Sequence, residues 1–279
     1  MFNKINNATA KPAVWSKYTA DVLWTDSHIA KQMLAFHLNP DLSLASRTAS
    51  FIEESVEWLV SEFKLGNTSK VIDFGCGPGL YTHAIKAKGI GTVVGLDFSE
   101  NSLKHAAEQA KLANLDIDYQ YGNYLEFSDP RKFDLITLVM CDLCALNPEQ
   151  RSGLYKKFQS LLAPNGSIAL DVYTATRFTK QSESLSLEKN SMNGFWSQKD
   201  YWCIQSSFKY DDEKVTLDKY VISQEDKEWT VFNWLQHFTI EDLSQELESH
   251  GLEIKNTYSD LRGTPLADGD EMALVIGHK

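Results

Sequence analysis

The chain is short of cysteine, of positive charge and of long apolar runs, and each shortage removes a class of protein. Four cysteines in 279 residues are too few to staple a fold, so a reducing compartment, the cytoplasm, is the expected location. Against 38 acidic residues stand only 27 basic ones, a formal net charge of -11. That balance argues against a broad surface for polyanions, because nucleic-acid affinity comes largely from neutralising phosphates; a small basic patch stays compatible with it. No window reaches the roughly 18 to 20 apolar residues of a membrane helix. The N-terminal M-F-N-K-I-N-N-A-T-A-K-P has no apolar run of signal-peptide length. Neither an internal repeat nor a low-complexity tract is visible. What remains is an ordinary globular composition, 43% hydrophobic and 23% charged, long enough for one large domain or one domain with a sizeable insertion.

From residue 50 to about 173 the pattern alternates helix and strand. Glu53 to Phe63 has Val56, Leu59, Val60 and Phe63 on one helical face. Short apolar strands are expected at 71–74, 92–97, 117–121, 133–140 and 167–172, with helices between them. Asn147-Pro148-Glu149 reads as a helix start, Asn capping and Pro at the first helical position. This rhythm predicts an α/β fold, a mostly parallel sheet covered on both faces. After 173 the rhythm changes. Residues 174–200 are polar without a clear period, and three strand-like runs follow, ending with W-T-V-F-N-W-L-Q-H-F. They predict an antiparallel insertion. Thr239 to Asp242 starts a last helix, Gly251 ends it, and L-E-I-K-N-T-Y with M-A-L-V-I-G closes the sheet as a hairpin.

The motif that carries chemistry is V-I-D-F-G-C-G-P-G-L-Y. Gly75, Gly77 and Gly79 lie between a buried strand and a helix, where the lack of a Cβ lets backbone approach a ligand. The next strand ends at Asp97, whose carboxylate can accept from both hydroxyls of a ribose. Dinucleotide-binding domains share this logic, but here the spacing is G-x-G-x-G, with Pro78 breaking their pattern. Asp73 also stands inside the first strand, and a carboxylate beside the ligand suits a cationic group, not a pyrophosphate.

D-F-G-C-G-P-G, G-L-D and L-L-A-P-N-G-S-I-A-L-D-V together resemble the motifs of the class I S-adenosylmethionine-dependent methyltransferases. The likeness covers roughly residues 50–173 and 238–279. It implies a Rossmann-like, doubly wound seven-stranded sheet whose last strand is antiparallel. It also implies S-adenosylmethionine as cofactor and S-adenosylhomocysteine as product. By the same resemblance Asp73, Gly75 and Gly77 lie at the methionine moiety, Asp97 at the ribose, and Asn123 with Tyr124 at the adenine. Cys76, Phe98 and Cys141 join that lining. Many members carry an acid where Asn123 stands; an Asn carbonyl can accept from the adenine amino group as well. The expected division is an N-terminal helical cap (1–49), a cofactor domain (50–173 and 238–279), and an insertion over the acceptor site (174–237).

In-line methyl transfer asks for alignment, and a protonated acceptor asks for a base. Asp142, in V-M-C-D-L-C at the end of the fourth strand, is the first candidate base, and His237 near the end of the insertion the second. Tyr18, Trp24, His28, Tyr173, Trp234 and Arg262 are candidates to bind the acceptor; His37 and Arg47 could face the same pocket. The expected acceptor is a small molecule, with no nucleic acid and no membrane. Methylation of RNA or protein is the alternative within the same chemistry. A nicotinamide-dependent reductase and a non-catalytic nucleotide-binding protein are alternatives of other classes. Cys76, Cys141 and Cys144 could approach one another, but a fourth ligand at zinc spacing is missing, and the C-x-x-C does not open a helix as a redox pair would. Small apolar packing beside the cofactor is the simpler reading, and no metal is expected.

Overall fold

The computed structural model describes residues 2–39 and 46–279; the part of the expected N-terminal cap at 40–45 lies outside them. The described chain begins with four helices, α1 (Phe2–Thr9), α2 (Ala20–Thr25), α3 (Ile29–Leu38) and α4 (Ala49–Glu62). The alternating half follows as β1 (Lys70–Phe74), α5 (Leu80–Ala87), β2 (Thr92–Asp97), α6 (Glu100–Leu112), β3 (Asp118–Tyr121) and β4 (Phe133–Leu138). A 3-10 turn (Asp142–Ala145), α7 (Pro148–Leu161) and β5 (Leu162–Tyr173) complete it. Next come α8 (Ala175–Lys180), β6 (Ser184–Lys189), one irregular turn α9 (Ser191–Gly194), β7 (Trp202–Tyr210), β8 (Val215–Ser223) and β9 (Glu228–Gln236). The chain closes with α10 (Ile240–Glu248), β10 (Leu252–Tyr258) and β11 (Glu271–His278).

Seven strands form one sheet in the order β10-β11-β5-β4-β1-β2-β3. Six strands point the same way; β11 alone runs opposite, pairing antiparallel with both β5 and β10. This is the α/β Rossmann-like class expected from the sequence. β1 has β2 on one side and β4 on the other, so strand order reverses at β1, and the crevice beyond its carboxyl end is where such sheets bind ligands. The central strands read as unbroken apolar runs because both faces are covered. One face packs Ile72, Phe74, Ile136 and Ile168 against α7 and α10, and the other packs Val71, Leu135 and Ala169 against α4 and α5.

Helix ends follow their local chemistry. Asn147 accepts from the Gln150 backbone N–H at 2.9 Å, and the Gln150 side chain accepts from the Asn147 N–H at 2.9 Å, a capping box with Pro148 at the first turn. β4 stops at Leu138, earlier than the apolar run to Met140 suggests. Met140 and Cys141 take φ of 68° and 58°, a left-handed pair that ordinary side chains resist and that no strand can contain.

The insertion holds four strands, β6-β7-β8-β9, one more than the sequence pattern indicates. β6 lies in the polar stretch after 173; every one of its residues is exposed, so burial imposed no apolar signature on it. Strands β8 and β9 are covered on both faces. Ile222 and Val231 face α2 and α3, packing with Ile29, Phe195 and Trp196. Leu217, Phe232 and Trp234 face the other way, toward Val14 and Trp15.

A largely buried ion pair joins α7 to α10. Arg151 donates from Nε and Nη2 to Glu246 at 2.9 and 2.6 Å, and from Nη1 to the Leu146 carbonyl at 2.7 Å. Removing one partner of a buried pair strands the other charge, at a cost of about 3–5 kcal/mol; the Glu246 side chain is 31% exposed, which reduces it. Glu246→Ala is expected to lower unfolding free energy by about 2–3 kcal/mol in urea titration, and Glu246→Gln by less.

Candidate active site

Asp73 sits in the last turns of β1, fully buried. Its Oδ1 accepts from Thr137 Oγ1 on β4 at 2.6 Å, while its Oδ2 is buried with no partner. Beyond β1 the chain turns through Gly75 and Gly77 with φ of 69° and 52°, values that tax any residue with a Cβ. Space is restricted too at Gly75, where a Cβ would lie 3.2 Å from Asp142 Oδ2; at Gly77 it would meet the His37 ring at an ordinary 3.6 Å, so there the backbone angle alone is the constraint. The loop is tied to β2 because Gly77 N–H donates to Asp97 Oδ2 at 2.8 Å, and Ser99 N–H to Asp97 Oδ1 at 2.7 Å.

Asp142 arrives from the opposite side. The left-handed pair Met140–Cys141 swings the chain off β4, and two bonds hold it there: Cys141 N–H to Asp171 Oδ1 at 2.9 Å, and Cys144 N–H to the Cys141 carbonyl at 2.9 Å. Strained backbone of this kind persists where its surroundings fix it. Asp142 is hydrogen-bonded by Tyr124.

Three carboxyl groups thus share one apolar crevice. Burial pushes Asp73 up to about 7, with Thr137 opposing and Asp97 and Asp142 adding to the rise. Burial likewise pushes Asp142 up to about 6, against the Tyr124 bond and with Asp97 and Asp171 adding. Asp97 is also raised by burial, though three backbone N–H groups hold it down. Among the described residues no salt bridge reaches any of the three. The nearby guanidinium of Arg47 is already spoken for, with Nη2 bonded to Asp171 at 2.7 Å and to Glu271 at 2.5 Å. Cys141, Asp171 and Glu271 form a group of metal-ligating types, but Arg47 engages both carboxylates. His37 is neutral, its pKa lowered by burial to about 4; its Nδ1 is 2.8 Å from Ser46 Oγ, and Trp24 packs at 5.7 Å between ring centroids.

A cavity of about 390 Å³ opens above these groups. Tyr18, Trp24, Phe36, His37 and Arg47 line it from the N-terminal segment, and Phe195, Trp196, Tyr220, Val231, Asn233 and Leu235 from the insertion. Of the residues proposed from sequence, it gathers Asp73, Gly75, Cys76, Gly77, Asp97, Phe98, Tyr124, Cys141, Asp142, Tyr18, Trp24 and Tyr173. Five lie elsewhere. His237 is buried with its Nδ1 3.3 Å from the Lys214 carbonyl and its ring against Tyr173 and Phe178; burial lowers its pKa to about 4, and it is not a base here. Trp234 points to the outer face of the insertion, donating from Nε1 to the Lys17 carbonyl at 2.8 Å. Arg262 is on the surface, paired with Asp260 and Glu54. His28 Nε2 is 2.9 Å from the Gly194 carbonyl, which ties α3 to the insertion. Asn123 is exposed and its Oδ1 accepts from Leu125 N–H at 2.9 Å, so it shapes the turn and does not face the cavity. The four cysteines are free and buried; burial pushes the Cys76 and Cys141 thiols up, away from the thiolate that redox or metal chemistry needs.

Residues 71–166 match the family model of a methyltransferase domain. The ribosomal protein L11 methyltransferase of Neisseria gonorrhoeae is 33% identical over 122 residues, 42% of this chain and 39% of that protein. The chain therefore spans about two fifths of that relative's length. An S-adenosylmethionine-dependent methyltransferase structure from Clostridium acetobutylicum superposes with a TM-score of 0.66 at 14% identity, covering 88% of this chain and 98% of that one. An amino pentose methyltransferase from Micromonospora echinaspora, solved with S-adenosylmethionine, superposes with a TM-score of 0.57 at 16% identity, covering 82% and 92%. Residues 71–166 thus match a methyltransferase domain, and the chain has the fold of the class I S-adenosylmethionine-dependent methyltransferases.

The residues present fit that cofactor. S-adenosylmethionine carries an ammonium and a sulfonium, and the unpartnered Asp73 Oδ2 offers negative charge to that cation. The cradle at Gly75 and Gly77 admits a ligand where a Cβ would stand, and Asp97 keeps lone pairs free for ribose hydroxyls. Asp73→Asn is expected to weaken S-adenosylmethionine binding by about 10- to 100-fold in calorimetric titration. The same change is expected to stabilise the ligand-free protein. The raised pKa of Asp73 means its contribution to stability is full below about pH 4 and lost as pH rises through about 7; Asn never ionises. The variant should gain roughly 1–3 kcal/mol over wild type at pH 8 and nearly nothing at pH 4, read from urea titrations at the two pH values.

Proposed function

We propose that the protein methylates a compact small-molecule acceptor, best an amine, with Asp142 as the base. The observation that carries this reading is that aromatic side chains from two separate segments close over one cavity of about 390 Å³, which must hold cofactor and acceptor together and so leaves the acceptor a compact share. The cofactor supplies a methyl group made electrophilic by the sulfonium. The protein's own residues select and orient the nucleophile.

Their chemistry disfavours an anionic acceptor. The cavity's acids outnumber its free cations: Arg47 is bonded to Asp171 and Glu271, and His37 is neutral. An ammonium is drawn both to Asp142 and to the faces of Tyr18 and Trp24. To attack, that ammonium must shed a proton, and Asp142, held near pKa 6 by burial, is ionised at neutral pH and can take it. Tyr124, bonded to Asp142, fixes which way the carboxylate faces.

A protein acceptor is the second reading, and the sequence matches favour it, because the relatives they name include ribosomal protein methyltransferases. The first of those matches runs over 122 residues, 42% of this chain, so it does not reach over the whole of the acceptor's surroundings, which come from the N-terminal segment and the insertion as well. Labelled methyl donor should decide between the two. Supplied with a panel of small amines, phenols and carboxylates beside a protein extract, the enzyme is expected to label the amines. Label confined to protein would replace the first reading by the second. With the acceptor in hand, kcat should rise with pH through about 6 and then level. Asp142→Asn should lower it by about 10²- to 10⁴-fold and flatten that rise, with cofactor affinity changed far less than by Asp73→Asn.

A further inference from the structure

The insertion sheet ends on a strand with an open edge. β6 pairs with β7 in unbroken antiparallel register, from Ser184 opposite Ser207 to Lys189 opposite Trp202, and among the described residues no strand pairs with its other side. Proteins usually guard such an edge with proline, a bulge or an inward charge. β6 has neither proline nor bulge within S-L-S-L-E-K, and its charges are confined to its last two residues, Glu188 on the inner face beside Cys203 and Lys189 on the outer. Its alternation places Leu185 and Leu187 on one face, each 63% exposed. Through the register, Leu187 lies beside Ile204, and Lys189 beside Trp202, itself 51% exposed. The apolar stripe therefore continues inward from the edge on the sheet's outer face, away from the cavity.

We propose that this edge is the seam of a homodimer, in which β6 of two copies pair antiparallel about a two-fold axis through Ser186. The sequence around that axis is self-complementary. Opposite residues in such a pair have numbers that sum to 372, so Leu185 faces Leu187 of the second copy, and Glu183 faces its Lys189. Each contact occurs twice, as an isologous interface requires, giving two leucine pairs and two ion pairs on one face. Ser184 meets Glu188 on the other face, without like charges in opposition. Neighbouring registers lose this match. A shift of one residue sends the two copies' leucines to opposite faces; an axis through Leu185 sets Leu187 against Glu183, and one through Leu187 sets Leu185 against Lys189. A partner of unrelated sequence has no reason to fit both charge and leucine order, whereas a second copy does.

Little must be given up to form the seam. Glu183 Oε1 now pairs with Lys11 at 2.9 Å and accepts from the Lys209 N–H at 3.0 Å, which leaves Oε2 for the second copy. Lys189 pairs with Asp200 at 2.7 Å. All four side chains of the two ion pairs are 43% exposed or more, and such surface pairs contribute little. The joined edge would make one eight-stranded sheet of the two four-stranded ones. It would also anchor the strand that leads directly into Met192, Phe195 and Trp196 on the cavity wall.

Light scattering on the full chain at tens of micromolar tests the proposal. A dimer is expected. Glu183→Lys and Lys189→Glu should each shift it toward monomer by at least tenfold in dissociation constant, and the double exchange should restore it, which a folding defect could not do. Cysteine placement checks the register. Opposed Cα atoms in an antiparallel pair are about 4.5–5.5 Å apart, inside disulfide range, and the native cysteines are buried. Ser186→Cys should oxidise to a covalent dimer, and Ser184→Cys, opposite Glu188, should not. A monomer under these conditions overturns the proposal, as does a dimer indifferent to the charge exchange and unlinked by Ser186→Cys.

Discussion

Asp73, Asp97 and Asp142 are carboxyl groups brought out of water into one crevice, and none has a basic side chain paired with it among the described residues. Much of the remaining structure exists to hold them there. Buried charges without compensation are costly, so they shift toward the neutral form, and two of the three are pushed to about 7 and about 6. A cationic ligand relieves that cost, and the fold stores the cost until the ligand comes. The same crowding explains why Arg47, though at the cavity, does not quench the cluster: Asp171 and Glu271 hold it to one side.

The backbone around the crevice is shaped by this requirement. Left-handed turns at Gly75 and Gly77 bring β1's exit under the ligand, and the left-handed pair Met140–Cys141 brings Asp142 against Gly75. One of these is allowed by glycine. The other is held in place by Asp171 and the Cys144 N–H. Local strain at a ligand site, fixed by buried hydrogen bonds, is the pattern expected where geometry matters more than stability. The C-D-L-C sequence thus owes its cysteines to packing and its turn to the placement of the aspartate between them.

The sheet and the cofactor loop are legible in the sequence because burial and backbone geometry leave residue-level marks: apolar runs for β1, β2, β4 and β5, glycines where φ is positive, Asp73 inside β1 and Asp97 at the end of β2. The acceptor side is less legible. β9 is covered on both faces, so W-T-V-F-N-W-L-Q does not announce which parity faces the cavity; Val231, Asn233 and Leu235 do, while Trp234 faces Trp15. A one-residue change of parity moves every side chain to the other face, and a place near the end of the insertion does not tell Trp234 from its neighbours. Asn123 shows the opposite failure, a polar residue at a family position whose carbonyl is used by its own turn. Arg47 with Glu271 needs a contact across 224 residues, which no local pattern carries. β6 escaped notice because exposure on both faces left it without an apolar code.

The central claim is that the crevice is charged in order to receive a cation, and proton release on binding measures this directly. Titration calorimetry with S-adenosylmethionine at pH 6.5, repeated in buffers of different ionisation enthalpy, gives the number of protons exchanged. Asp73 is largely protonated in the free protein at that pH and must ionise beside the ligand. Release of about one proton is therefore expected, shrinking toward zero by pH 9. Tight binding at pH 6.5 with no proton released, or with uptake, would contradict the account.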